Sequence, residues 1–337
     1  MKPWPPSRIL ELKAGTEIDV LEQKGLKRIW IRERLGSKLI RKVVLPLLGV
    51  KRQMADARQY ERTIEAGRLK GDARPPARMR RRFEISAHML AGSRVYRVNP
   101  LDATSNGTII YIHGGAYVAN MLPDQWRIVA GLATRTGARV LVPNYPLAPE
   151  NSWKSAYRML TELYADTLRS TPADRISIVG DSAGAGLALG LSQRWRDEGR
   201  LLPRCLILFS PWLDARADNE AQEALESVDP ILSRPGLVWA ARHWAGNLPL
   251  EHPHISPGLG KISDLPPILM FSGTADLLHP DAIAFWERAQ LENIRLNFVI
   301  GHKMTHAWSI LPVKDASTLY DAAASFLTTP ALRTELK

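Results

Sequence analysis

The stretch RISIVGDSAG, residues 175–184, is an apolar run that leads into a serine flanked by glycines. Such a run is typical of a buried strand, and the small residues at 185–195, AGLALGLSQRW, have helical spacing. A strand, a G-x-S-x-G turn and a helix in this order form a turn so sharp that it presents the serine hydroxyl. We therefore predict that Ser182 is a nucleophile at the N-terminus of a helix, where backbone amides favour negative charge.

Two other interpretations of this segment are weaker. A G-x-S-x-G motif that occurs by chance is not expected to follow a strand and precede a helix, whereas this one has both flanks. A dinucleotide fingerprint, G-x-G-x-x-G, would begin at Gly184, but Leu189 stands where its third glycine is required. The chain also contains no G-x-x-x-x-G-K-[ST] motif. We therefore expect no cofactor.

Apolar runs recur along the chain and alternate with segments of helical spacing. The predicted strands are 108–113, 139–142, 175–179, 205–209, 268–271 and 296–300. The predicted helices lie near 124–136, 152–169, 183–197, 281–293 and 315–327. This alternation predicts an α/β fold, a parallel sheet with helices on both faces, whose functional loops follow the carboxyl ends of the strands.

The turn after the first of these strands, HGGAY at 113–117, is a candidate oxyanion hole. Glycines allow the backbone to turn its N–H groups toward one point beside Ser182. The predicted donors are the amides of Gly115, Ala116 and Ala183, with Gly114 as a further candidate. We expect His113 and Asp181 to support these turns structurally.

A serine nucleophile needs a base and an orienting carboxylate. Asp276 follows the strand at 268–271, and His306 lies in the loop after the strand at 296–300. Serine, acid and histidine thus occur in the order that accompanies a G-x-S-x-G turn. We predict that His306 takes the proton of Ser182 and later delivers it to the leaving group, and that Asp276 orients the imidazole.

Other residues compete for these roles. Asp281 is a second candidate acid, although its position suggests a helix cap. His302 is a second candidate base, but His306 lies farther along the loop and can reach back. The two histidines have a spacing used for metals, yet the glutamate of H-E-x-x-H is missing, so we expect no metal site. Cys205 lies inside a predicted strand and is expected to be a buried structural thiol.

Composition excludes several classes of protein. Hydrophobic residues make up 45% of the chain and charged residues 23%, which allows a substantial core and argues against disorder. The single cysteine cannot form an internal disulfide and favours a reducing compartment. No apolar run is long enough for a membrane span, and the opening MKPWPPSRILELK is broken by prolines and charges. We therefore expect a cytoplasmic protein.

Positive charge is concentrated near the N-terminus. Residues 1–100 hold 24 Lys and Arg against 10 Asp and Glu, whereas residues 101–337 hold 21 against 24. Within this part, residues 25–52 alternate apolar and cationic residues at near-helical spacing. We expect an amphipathic helix that lays Trp30, Ile31, Leu35, Leu39 and Val43 either on the protein's own core or on anionic lipid. No nucleic-acid motif accompanies the charge, so no nucleic-acid partner is expected.

One interval interrupts the alternation of strands and helices. Residues 212–262 contain helical stretches near 219–226 and 235–245, followed by a Pro- and His-rich piece without a strand. We interpret 212–262 as a cap insertion that joins a basic helical segment at 1–80. The catalytic domain then comprises 81–211 and 263–330.

Several motifs together resemble the hormone-sensitive-lipase-like family of α/β-hydrolase carboxylesterases. They are HGGAY, NYPLAPE, GDSAGAG, SPW, GTADLL and MTHAW, spread over roughly residues 100–328. The resemblance implies an α/β-hydrolase fold with a sheet of about eight strands and a helical cap. It places the nucleophile, acid and base at Ser182, Asp276 and His306. Ala116 departs from the family's third glycine and adds a methyl group beside the oxyanion hole.

The resemblance also carries functional expectations. It implies hydrolysis of short- to medium-chain acyl esters without a cofactor. Pairing of two copies through the last strand is common in this family, so a homodimer is one candidate assembly, and the sequence leaves the oligomeric state open. A lactone hydrolase or a deacetylase would use the same three side chains. Two further hypotheses are a non-catalytic small-molecule receptor with the same fold and an enzyme whose basic N-terminus contacts anionic membranes peripherally.

Overall fold

The computed structural model describes residues 18–23, 26–105, 107–292 and 294–329. Within these ranges ten strands form one sheet. The strands are β1 (Ile18–Gln23), β2 (Leu26–Arg32), β3 (Phe83–Leu90), β4 (Ser93–Pro100), β5 (Thr108–Ile112), β6 (Arg139–Pro143), β7 (Ile176–Asp181), β8 (Cys205–Phe209), β9 (Ile268–Ala275) and β10 (Leu296–Thr305). Their order in the sheet is β1-β2-β10-β9-β8-β7-β5-β6-β4-β3.

Helices cover both faces of this sheet. They are α1 (Leu35–Leu39), α2 (Leu45–Leu48), α3 (Val50–Met54), α4 (Ala57–Leu69), α5 (Trp126–Thr136), α6 (Trp153–Leu168), α7 (Ala183–Asp197), α8 (Ala221–Glu226), α9 (Arg234–Ala245), α10 (His279–Leu291) and α11 (Lys314–Thr328). A π-helical turn, Ile40–Val44, joins α1 to α2. In the part of the chain that the structure describes, no helix is long and apolar enough to cross a bilayer.

The sheet is mostly parallel, as the alternation of strands and helices predicts. The seven strands from β6 to β2 in the sheet order run parallel, while β4, β3 and β1 pair antiparallel. Successive residues of β5 point to opposite faces, since Ile110 packs in one apolar cluster and Ile109 in the other. Burial of β5, β7, β8 and most of β9 on both faces explains why apolar residues predominate in them.

The N-terminal segment differs from its prediction. We expected a helix over residues 25–52, but Leu26–Arg32 is the strand β2, paired with β1 and β10. The sequence LKRIWIR is also compatible with a strand, because apolar and basic residues alternate along part of it and it contains β-branched and aromatic residues. The edge of β10 supplies its backbone hydrogen-bond partners. Ile31 is therefore buried by a sheet rather than by a helix. The pair β1 and β2 raises the strand count from about eight to ten.

This pair also changes the expected mode of dimerisation. The resemblance implied pairing of two copies through the last strand, β10. Because β10 bonds to β9 on one side and to β2 on the other, it is not an edge strand. In this sheet β10 thus offers no edge to a second copy, and the homodimer itself stays a prediction.

Helices from two distant parts of the sequence pack together. Met54 in α3 lies so close to α9 that a Cβ on Gly236 would be 2.2 Å from its Cγ. Tyr60 of α4 contacts Trp239 of α9 edge to face, with ring centroids 5.5 Å apart. These contacts join the N-terminal helices to the insertion that we interpret as a cap; the division into domains stays a prediction.

Candidate active site

Ser182 lies in a strained turn between β7 and α7. Its backbone has φ 53° and ψ −121°, a conformation that costs a non-glycine residue about 1–3 kcal/mol. The turn is held on both sides, because the Ser182 amide donates to the Phe209 carbonyl at 2.8 Å and the Trp212 amide donates to the Ser182 carbonyl at 3.0 Å. The serine is thus held at the carboxyl end of the sheet.

Three glycines make room for this turn. A Cβ on Gly180 would lie 2.4 Å from the Gly184 carbonyl oxygen, and one on Gly184 would lie 2.1 Å from the Ile112 carbonyl oxygen. A Cβ on Gly114 would lie 2.9 Å from the Cβ of Ser182. The turn and the loop after β5 therefore approach each other more closely than any side chain allows.

The structure brings Ser182, His306 and Asp276 into one hydrogen-bonded chain. His306 Nε2 lies 2.9 Å from Ser182 Oγ. His306 Nδ1 lies 3.0 Å from both carboxylate oxygens of Asp276. Since a carboxylate only accepts, Nδ1 carries the proton and Nε2 of the neutral ring is free to accept the serine proton. Asp276 and His306 are buried, so water competes little for these bonds.

The competing candidates lie elsewhere. Asp281 accepts hydrogen bonds from Asn219 Nδ2 at 2.8 Å and from Gln222 Nε2 at 2.9 Å. Burial raises its pKa to about 7. His302 is exposed at the surface. Neither residue belongs to the chain of hydrogen bonds that begins at Ser182.

Three carboxylates shift the titration of His306. Burial lowers the pKa of its imidazole, but Asp276, Asp229 and Asp181 outweigh this effect and leave the pKa raised above its ordinary value. The raised pKa means that the ring accepts a proton more readily than a free histidine does.

Sequence reasoning missed Asp229. This buried residue follows α8 and accepts hydrogen bonds from the amides of Ile231 at 2.8 Å and Leu232 at 3.1 Å. Its other oxygen accepts from the amide of Leu277, the neighbour of Asp276, at 2.8 Å. The local bonds follow the pattern of an Asx turn, which the sequence could have indicated. The long-range bond has no sequence signal.

The loop after β5 has an uncommon backbone conformation. Gly115, Ala116 and Tyr117 have φ values of 125°, 51° and 63°. Among the hydrogen bonds of the described residues, none uses the N–H of Gly115 or Ala116. As the first residue of α7, Ala183 has no preceding helical turn to accept its N–H. These three amides thus have no acceptor among the hydrogen bonds of the described residues.

Gly114 is a correction to the predicted set of donors. Its amide donates to Asp181 Oδ1 at 2.9 Å. The sequence predicts this N–H as a candidate donor of the oxyanion hole, and the prediction is wrong because the N–H already makes a charge-assisted hydrogen bond to the Asp181 carboxylate. Gly114 instead links the loop to the serine turn.

Asp181 and His113 brace the site. The buried carboxylate of Asp181 also accepts from Tyr111 Oη at 2.5 Å and from Gln125 Nε2 at 2.8 Å. His113 Nδ1 donates to the Gly114 carbonyl at 2.7 Å, and its ring stacks on Tyr145 with centroids 4.5 Å apart. Burial lowers the pKa of His113, which favours the neutral ring. Both placements support the structural roles expected from the sequence.

The remaining chemical candidates are accounted for by packing. Cys205 is buried in β8, its Sγ lies 3.4 Å from Ser177 Oγ, and burial raises the pKa of the thiol to about 11. Within the described ranges, no group of three or more His, Cys, Asp or Glu is arranged to hold a metal ion.

Comparisons with known proteins agree with this architecture. A family model described as alpha/beta hydrolase fold matches residues 109–310. An acetyl-hydrolase of Streptomyces hygroscopicus is 32% identical over 234 residues, which is 66% of this chain and 75% of that protein. An esterase of Acinetobacter venetianus is 32% identical over 234 residues, 67% of this chain and 77% of that protein.

A solved structure gives the same result for the fold. A crystal structure described as an esterase from the bacterial hormone-sensitive lipase family superposes with a TM-score of 0.74 at 23% identity. The superposition covers 88% of this chain and 98% of that one. The predicted fold class and the predicted resemblance are confirmed.

Proposed function

Since the chain belongs to the alpha/beta hydrolase fold family, we propose that it is a serine carboxylesterase that hydrolyses short- to medium-chain acyl esters through an acyl-enzyme intermediate. The names of two relatives, an acetyl-hydrolase and an esterase, support hydrolysis of carboxylic esters as the general reaction. One observation carries the finer proposal. It is the continuous hydrogen-bonded chain from Ser182 Oγ through His306 to Asp276, with distances of 2.9 and 3.0 Å.

The first half-reaction follows from this geometry. Ser182 Oγ attacks the ester carbonyl carbon while His306 Nε2 takes the hydroxyl proton. The tetrahedral intermediate collapses by breaking the bond to the alkoxy oxygen, and His306 delivers its proton to the leaving alcohol. In the second half-reaction His306 takes a proton from a water molecule, which attacks the acyl carbon. The bond between that carbon and Ser182 Oγ then breaks, and His306 returns the proton to Oγ as the acid leaves. Asp276 stabilises the imidazolium in both steps.

The negative oxygen of each intermediate needs donors. We assign this role to the amides of Gly115, Ala116 and Ala183, which lie beside the serine turn. Preorganised donors of this kind contribute about 3–4 kcal/mol each to transition-state stabilisation in known cases. The Ala116 methyl lies where the related family has only hydrogen, so we expect it to narrow the space for the acyl group.

The decisive experiment is Ser182→Ala with p-nitrophenyl acetate as substrate. We expect kcat/KM to fall by about four to six orders of magnitude, because a triad acts as a unit. The matched control is Ser192→Ala, which removes another serine hydroxyl from the same helix, one that bonds to the Ala188 carbonyl at 2.9 Å. Turnover by Ser182→Ala at the parent level would contradict the proposal.

A second measurement defines the substrate. A series of p-nitrophenyl esters from acetate to dodecanoate should show a maximum of kcat/KM at short to medium chains. Lactones and acetyl amides tested under the same conditions distinguish an esterase from a lactone hydrolase or a deacetylase. Stoichiometric binding of a small acid with no release of product would instead support the non-catalytic receptor.

A further inference from the structure

The helical stretch 35–50 turns its apolar side outward. Leu35, Leu39, Val43 and Leu47, spaced four residues apart, have exposed fractions of 81%, 58%, 45% and 81%. Leu48 and Val50 extend this apolar stripe at 60% and 40% exposed. A surface helix of a globular protein normally packs such a stripe against the core. The expectation that Leu35, Leu39 and Val43 cover the protein's own core is therefore wrong.

Polar contacts keep the stretch in this orientation. Of residues 35–50 only Ser37 and Leu45 are buried. Ser37 Oγ donates a hydrogen bond to Asp315 of α11, and Arg34 Nε lies 3.2 Å from the same carboxylate. These contacts to Asp315 hold the side of the helix that carries Ser37 against the protein, so the apolar side faces solvent.

The same stretch is strongly cationic. Residues 32–52 contain seven Lys and Arg but one acidic residue, Glu33. Arg41 neutralises Glu33 through two hydrogen bonds of 2.8 and 2.9 Å. A cavity of about 500 Å³ opens beside the helix. Its lining includes Glu33 and five cationic side chains, Arg32, Lys38, Arg41, Lys42 and Lys303. The apolar stripe is thus bordered by a cationic cavity of a size that admits a phosphate group.

We propose that the stretch 35–50 docks this protein on the surface of anionic phospholipid bilayers. The leucines and valines would enter the boundary between headgroups and acyl chains, while Lys38, Lys42 and the cavity would take lipid phosphates. Charge complementarity favours this occupant over a second copy of the chain. A symmetric pair formed through the stripe would bring two sets of these cations together.

The docking surface lies next to the catalytic acid. Thr274 and Ala275, which line the cavity, directly precede Asp276 in the chain. Val228, on the cavity wall, directly precedes Asp229. Docking would therefore place the proposed active site beside the bilayer, a role that hydrolysis of esters in solution does not require.

Co-sedimentation with vesicles tests this proposal independently of turnover. The full chain carries Ser182→Ala, so that it does not hydrolyse the lipids. It is mixed with vesicles of phosphatidylcholine alone or of phosphatidylcholine with about 30% phosphatidylglycerol, whose negative surface potential attracts basic segments. We expect binding to the anionic vesicles only, weakened by raising NaCl from about 0.1 to 0.5 M because salt screens the charges.

Two pairs of variants identify the surface. Leu39→Asn with Leu47→Asn should lower partitioning more than about tenfold, and so should Lys38→Glu with Lys42→Glu. The controls are Leu201→Asn with Leu291→Asn, which are 66% and 83% exposed elsewhere, and Arg169→Glu with Lys261→Glu. In the background with Ser182 intact, all four variants should hydrolyse soluble p-nitrophenyl acetate at the parent rate.

Three outcomes would overturn the proposal. The first is absence of binding to anionic vesicles by the parent. The second is equal binding by the parent and the stripe variant. The third is a parent that does not bind vesicles and forms a dimer in solution, while Leu39→Asn with Leu47→Asn is a monomer. That result would identify a second copy of the chain as the occupant of the stripe.

Discussion

Asp229 accepts a hydrogen bond from the amide of Leu277 at 2.8 Å, across 48 residues of sequence. Leu277 follows the proposed catalytic acid, Asp276, whereas Asp229 lies between α8 and α9 in the insertion. The bond therefore ties the insertion to the loop that carries the acid. Burial, and then the charge of Asp276, raise the pKa of Asp229 to about 6. The fold keeps a second carboxylate close to His306 and Asp276.

Replacement of Asp229 should change the pH dependence of hydrolysis. Asp229→Asn removes a negative charge that favours protonated His306, so the pKa of His306 should fall. Because the reaction needs the neutral imidazole, the acidic limb of kcat/KM should move to lower pH. The pH profile of kcat/KM for p-nitrophenyl acetate measures this pKa in the free enzyme.

A purely structural role for Asp229 would give another result. It would lower kcat/KM at every pH without moving the limb. The control is Asp218→Asn, which removes an exposed carboxylate whose side chain is 57% accessible. That variant should leave the profile unchanged.

Asp281 should make stability fall as pH rises. Its folded-state pKa of about 7 exceeds the ordinary value of 3.8, so between these pH values the unfolded chain loses a proton that the folded chain keeps. The contribution of Asp281 to the free energy of unfolding is complete below about pH 4 and is lost as the pH rises toward 7. Asp281→Asn should therefore gain stability relative to the parent from pH 4 to pH 8, by at most about 4 kcal/mol.

The local contacts allow this replacement. Asn219 can still donate to the remaining side-chain oxygen, and Gln222 Oε1 has no hydrogen-bond partner among the described residues. Rotation of the Gln222 amide then supplies an acceptor for the new NH₂ group. Thermal unfolding of both proteins at several pH values provides the comparison, and a difference independent of pH would contradict the expected titration.

Two glycines should respond oppositely to alanine. Gly184→Ala places a Cβ 2.1 Å from the Ile112 carbonyl oxygen, so we expect a loss of several kcal/mol in the free energy of unfolding, or failure to fold. Gly67 in α4 has nothing within 4 Å of an added Cβ. Gly67→Ala should stabilise the protein by about 0.5–1 kcal/mol through helix propensity. Urea unfolding measures both, and equal effects would refute the steric account.

Asp181→Asn should weaken the contact between the serine turn and the side chain of Gln125. The new NH₂ group would face the NH₂ group of Gln125, whose own oxygen already accepts from the Leu122 amide at 2.6 Å. The side chain of Gln125 cannot rotate without losing that bond, so we expect a cost of about 1–3 kcal/mol. Thermal unfolding and kcat/KM should both decline, whereas the exposed control Asp124→Asn should change neither.

Local patterns were sufficient for much of the site. The strand and helix around Ser182, and the loops that carry Asp276 and His306, follow from short-range periodicity and from the rule that functional loops end parallel strands. Those rules do not give the distances between side chains on different loops. The choice of His306 over His302 depended on loop reach, and that of Asp276 over Asp281 on the helix-cap position of Asp281. The structure favours both choices through hydrogen bonds that join residues 124 and 30 positions apart.

The errors share a cause. Periodicity in residues 26–32 fits a helix or a strand equally, and the free edge of β10 selected the strand by offering backbone partners. Likewise, spacing predicts an apolar stripe at Leu35, Leu39 and Val43 but not its direction, which the contact of Ser37 with Asp315 fixed.

The amino-acid sequence by itself determined the order of strands and helices from residue 108 onward, the serine turn and the three residues of the proposed triad, because each depends on neighbours within a few positions. Only the tertiary structure decided which amides are available to an oxyanion, that Asp229 lies beside the acid loop, and which surface the N-terminal leucines face. Those features arise from contacts between distant segments, whose partners no local pattern specifies.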